Sequence, residues 1–131
     1  MMKTNFFCAI VVAAALRTAV FDVSGQWLVV ATFDRATDRT RTQPPVKLVC
    51  TFEQHDAALA GSCRPADAPE GLPITGTTGE KTVEWSFQIA PNATAARQSA
   101  IFRGTRGSGA SAMSGRFEFG ESHGRFRATK Q

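Results

Sequence analysis

The sequence predicts an all-β fold, an eight-stranded antiparallel up-and-down β-barrel. Three observations carry this expectation. Apolar and polar residues alternate at period two along nearly the whole chain, the pattern of half-buried strands. Turn-forming clusters interrupt the alternation at short, regular intervals. An open meander of that many strands would leave two unpaired edges, and closing the ring removes them.

Ahead of the alternation lies a segment of another kind. Residues 6–16 (FFCAIVVAAAL) form an apolar run preceded by a single charge, Lys3. A run of roughly a dozen residues is the length of a secretory signal core and too short to span a bilayer. Residues 1–19 therefore read as a signal peptide, cleaved after Ala15 or Ala19, and residues 20–131 as one β-barrel domain. The mature domain is expected in the periplasm or secreted, with no membrane association once the leader is gone. At 131 residues in all, 43% hydrophobic and 20% charged, the chain is globular and long enough for one core.

The strands follow in order, at roughly 25–34, 46–54, 59–64, 72–78, 81–90, 98–106, 112–120 and 123–130. Trp27, Val29, Ala31 and Phe33 share one face of the first, and Val46, Leu48, Cys50 and Phe52 one face of the second. The fifth is the clearest, with Val83, Trp85, Phe87 and Ile89 alternating with Thr82, Glu84, Ser86 and Gln88. Phe117 and Phe119 mark the inner face of the seventh strand, Phe126 and Ala128 that of the eighth.

A two-residue turn at Asp56-Ala57 places His55 opposite Ala58, Glu53 opposite Ala60 and Cys50 opposite Cys63. Antiparallel partners stand about 4.5–5.5 Å apart, a separation that suits a disulfide. Cys8 leaves with the leader, so Cys50 and Cys63 are an even pair in an exported domain, where pairing is the rule. Gly25, Gly61, Gly76, Gly104, Gly115 and Gly124 fall in or at the ends of strands, where glycine permits the coiling that a small barrel needs.

Charge and composition narrow the function classes. The formal net charge of +4 falls to +2 when Lys3 and Arg17 depart with the leader. Cations collect toward the C-terminus as Arg97, Arg103, Arg106, Arg116, Arg125, Arg127 and Lys130, against Glu118 and Glu121. Arginines alternating along strands read as the wet side of a sheet, and no nucleic-acid partner is expected. His55 and His123 sit at hairpin tips without ligand spacing, so no metal site is expected. No nucleophile elbow is visible, and the glycine-rich stretch at 104–109 lacks the lysine of a phosphate loop. The chain therefore reads as non-enzymatic and free of cofactors.

Gly25-Gln26-Trp27 on the first strand resembles the G-x-W signature of the calycin superfamily, the lipocalins and avidins. The resemblance implies that Gly25 turns the chain into the barrel and Trp27 closes one end. It also implies that a basic residue of the last strand, Arg125, Arg127 or Lys130, packs over that tryptophan. DVSGQW, FEQHDAALAG, LPITGT, VEWSFQI, IFRGT, AMSGRF and GRFRATKQ follow in the same order as cassettes of small exported bacterial barrels. That likeness brings no activity with it. The opening SGQW is also similar to the start of periplasmic inhibitors of serralysin-type metalloproteases, whose N-terminal trunk enters the protease cleft.

Two functions are compatible with this reading. The large inward side chains either fill a short barrel completely or leave a small apolar cavity near its open end; the first function, binding of a small, mainly apolar molecule, belongs to such a cavity lined by Trp85, Phe87, Phe102 and Phe117. The alternative is a protein-binding module, a metalloprotease inhibitor acting through residues 16–23.

Overall fold

A computed structural model of the chain describes residues 21–34, 44–89, 96–107, 109 and 111–131. The expected leader at 1–19 lies outside the described residues. The strands are β1 (Gly25–Phe33), β2 (Val46–His55), β3 (Ala58–Pro65), β4 (Leu72–Thr78), β5 (Thr82–Ile89), β6 (Gln98–Arg106), β7 (Ala112–Phe119) and β8 (Ser122–Lys130). Every expected strand is present, with its ends within one residue of the expectation. Each pairs antiparallel with the next, and β1 pairs with β8, so the sheet closes into an up-and-down barrel.

The period-two pattern is the cause of the core. Trp27, Val29, Leu48, Phe52, Ile74, Val83, Trp85, Phe102, Met113, Phe117 and Phe126 point inward and are buried. Phe33, Ile89 and Phe119 pack on this core but remain partly exposed. Phe21 and Val23, which precede the first strand, are buried as well.

The β2–β3 register is the one set by the two-residue turn, with His55 opposite Ala58 and Cys50 opposite Cys63. Asp56 takes φ +54, a left-handed conformation that aspartate tolerates better than most residues. Cys50 and Cys63 form a disulfide with their Cα atoms 4.0 Å apart. Both cysteines point into the lumen and are at most 2% exposed.

Glycines stand beside the large rings. Gly61 pairs with Phe52, Gly76 with Trp85, Gly115 with Phe126, and Gly124 with both Phe117 and Phe33. An aromatic ring thus lies over a neighbour with no side chain, and the strand can coil tightly there. Gly61 is the most constrained, because at φ +135 a Cβ would collide with the Thr51 carbonyl oxygen across the pair.

Because strand directions alternate, the two barrel ends differ in what they collect. One end holds the start of β1 and the β2–β3, β4–β5 and β6–β7 connections. The other holds the end of β1 and the start of β2, together with Phe33, Ile89 and Phe119.

Two outcomes follow. Gly61→Ala is expected to destabilise the domain by about 2 kcal/mol or more, read as a lower urea midpoint at unchanged slope. Breaking the disulfide, whose cysteines lie 13 residues apart, is expected to cost about 3 kcal/mol. Comparing urea unfolding of wild type with the double variant Cys50→Ala/Cys63→Ala checks this.

Candidate functional site

The structure brings the four expected lining residues together. Trp85 and Phe102 are direct cross-strand partners, as are Phe102 and Phe117. Trp85 and Phe102 stack with centroids 4.9 Å apart and planes 2° from parallel. Phe117 and Phe87 stack on the same Phe102 ring at 5.5 and 5.9 Å. Phe52 and Phe126 meet Trp85 edge-on, at 5.1 and 5.3 Å. All four lining residues are at most 6% exposed, and their neighbours are one another.

Trp85 carries the anomaly of this cluster. Its indole Nε1 is buried and has no hydrogen-bond partner among the described residues. A buried N–H is nearly always paired, because an unmatched one loses its water without replacement. Trp27 shows the usual case: its Nε1 donates to the Val23 carbonyl oxygen at 2.9 Å, fully buried.

That bond belongs to the closed end of the barrel. Gly25 has φ +117, so the chain enters β1 through a bend that a side chain would strain. The preceding residues fold across the barrel end rather than away from it. Phe21 N donates to Gly79 O at 2.9 Å, and Val23 N to Gln54 Oε1 at 2.9 Å. Gln54 Nε2 in turn donates to Asp56 O and Thr78 Oγ1. Asp22 Oδ1 accepts from Ser24 N at 3.0 Å, a bond that holds the Asp22 carboxyl below its ordinary range. The Phe21 ring meets Trp27 edge-on at 6.4 Å.

Of the three basic residues the resemblance offers for this end, Lys130 is the one that stands there, and Arg106 adds a second cation. Arg125 and Arg127 alternate with buried Phe126 and point to solvent. Arg106, at the end of β6, lies over the Phe21 ring at 5.8 Å from its centroid. Lys130 pairs with Trp27 in the β1–β8 register, and its Cε lies over Gly25. Of residues 16–23, in which the inhibitor reading places a trunk, Phe21 and Val23 are engaged by the barrel; 16–20 lie outside the described residues.

The opposite end is fastened by charge. Asp34, just past β1, uses Oδ2 to accept from Arg116 at 2.7 Å and to meet His123 Nδ1 at 2.9 Å. Its backbone N donates to His123 O at 2.9 Å. The Arg116 and His123 hydrogen bonds hold the Asp34 carboxyl below its ordinary pKa. Next to Asp34, the Phe33 ring packs edge-on against Phe117 at 5.1 Å. Val46 and Leu72, at the same end, are each 38% exposed.

Sequence reasoning missed Gln54, Phe21, Val23, Arg106 and Asp34. Gln54 carried a signal, since it breaks the apolar series Leu48, Cys50, Phe52 at the next inward position. Among the described residues no three or more His, Cys, Asp or Glu side chains converge as metal ligands would. Comparison with known proteins finds no matching family model, no similar curated protein and no similar solved structure.

The Asp34 clamp should make stability depend on acid. A carboxylate with a lowered folded pKa stabilises above its unfolded value, ordinarily 3.8, and that contribution fades as pH falls through the folded one. Thermal melts from neutral to acid pH are expected to fall less steeply for Asp34→Asn than for wild type.

Proposed function

We propose that this chain is a calycin-like, exported, non-enzymatic barrel that binds a small, mainly apolar molecule in its lumen. The observation that carries the reading is the Trp85 indole N–H, a buried donor without an acceptor in a wall of phenylalanine rings. Leaving such a donor unmatched costs about 1–3 kcal/mol. An apolar molecule with one carbonyl, ether or hydroxyl oxygen would meet it and keep the rest of its surface on the rings.

Entry belongs to the end away from Trp27. There Phe33, Ile89 and Phe119 are only partly buried, while the other end is plugged by Phe21 and Val23. Phe87 and Phe117 lie between that mouth and Trp85, so they turn aside as the ligand enters. Export is supported by the apolar leader at 6–16 and by the disulfide, which persists in the periplasm or outside the cell. The inhibitor reading draws no comparable support, since the residues nearest the barrel are folded onto it.

Native mass spectrometry of the mature protein, purified from its own source beside a denatured control, tests the proposal. A small mass that leaves on denaturation is expected. Affinity for that molecule should drop about fivefold in Trp85→Phe, the worth of one neutral hydrogen bond. A bare polypeptide mass in every preparation would sink the reading.

A further inference from the structure

We propose that the outer wall formed by β6, β7 and β8 binds an acidic polysaccharide, one whose sugars carry carboxylates. The wall has an arrangement that a sheet does not need for its own stability. Arg103 pairs directly with Arg116, and Arg116 directly with Arg125. Three arginines therefore stand side by side on adjacent strands, all facing outward. Like charges placed directly opposite destabilise a sheet. Elsewhere the barrel avoids this: β4 turns Pro73, Thr75 and Thr77 outward, with no charge.

Neutralisation along the row is incomplete. Arg103 meets Glu84 at 3.3 Å and Glu118 at 3.8 Å, and Arg116 meets Asp34 at 2.7 Å. Among the described residues no carboxylate pairs with Arg125, nor with Arg127 two positions further along β8. Arg103 and Arg116 keep 55% of their side-chain surface exposed even while paired. The wall thus offers two unmatched guanidinium groups on β8, one in the row and one beside it, next to two in the row that can share an acceptor, and a guanidinium fork fits a planar carboxylate with two parallel bonds.

The shape of the wall selects a sugar polymer over other polyanions. Two hollows of about 490 and 400 Å³ flank the Arg103–Arg116 pair, and both residues line both hollows. The smaller one is edged by the hydroxyls of Thr77, Thr82, Thr105 and Ser114, partners suited to uncharged sugar hydroxyls. Cations recur along the row at the strand spacing of about 4.8 Å, comparable with one charge per sugar. Duplex DNA carries a charge every 1.7 Å or so, and Glu84 and Glu118 set into the row would repel so dense a backbone. The outward positions of β6, β7 and β8 also hold no phenylalanine or tryptophan on which a free base could stack.

The test is affinity electrophoresis of the mature protein through gels containing polygalacturonate, neutral dextran or duplex DNA. Retardation by polygalacturonate alone is expected. The double variant Arg125→Gln/Arg127→Gln should weaken it about tenfold or more, at an unchanged melting temperature, and Arg127→Gln alone by a smaller factor. Absence of retardation by polygalacturonate overturns the proposal. So does equal retardation by DNA, which would mark simple ion exchange, and so does undiminished retardation of both variants.

Discussion

Everything in this molecule depends on the seam between β1 and β8. Pairing the first strand with the last satisfies the backbone groups that an open meander would expose, and it makes the ring small. In a ring of eight strands the interior is about as wide as two facing side chains. Strands can bend that sharply only where something is missing on the inner face, so the glycines fall beside the rings. Phe52 leans over Gly61, Trp85 over Gly76 and Phe117 over Gly124. Curvature and core packing are thus one solution, in which each large ring occupies the room left by a neighbour that has no side chain.

The two barrel ends are finished by different physics. One is sealed by apolar packing and directional hydrogen bonds, with Trp27, Phe21 and Val23 bound through Gln54 and Gly79. The other is drawn together by a single carboxylate, Asp34, that holds β7 and β8 through Arg116 and His123. Exposed ion pairs are weak and sensitive to salt, whereas the buried bonds of the plug are not. The polarity that follows gives the lumen a floor held by buried bonds and a rim held by an exposed ion pair.

Much of this architecture was legible from local patterns. Alternation along each strand named the inward residues, and the two-residue turn at Asp56-Ala57 fixed the pairing of Cys50 with Cys63. The short connection at Gly120-Glu121 holds the same kind of information, because it sets Arg116 opposite Arg125. What stayed hidden depends on long separations. Arg116 and His123 reach Asp34 across 82 and 89 positions, and no local rule announces that meeting. Phe21 and Val23 escaped notice because three residues are too few to show a period, and Gln54 because its partner lies 31 positions away. Of the three basic residues that the resemblance offers for the barrel end, Arg125 and Arg127 alternate with Phe126 and lie on the outer wall, while Lys130 stands opposite Trp27. For the aromatic cluster, the pattern could locate Trp85 in the interior without revealing that its N–H lacks a partner. Hydrogen bonding there depends on which rings surround it, and periodicity does not encode that.

The disulfide also gives the molecule an optical character. Cys50 is the cross-strand partner of Trp27, so the sulfur pair and that indole are neighbours inside the lumen. A disulfide accepts an electron from an excited indole and quenches its emission. Both indoles are fully buried, Trp27 on the strand beside the disulfide and Trp85 among phenylalanine rings. With no tyrosine in the chain and both tryptophans buried inside the barrel, intrinsic fluorescence reports on the lumen alone.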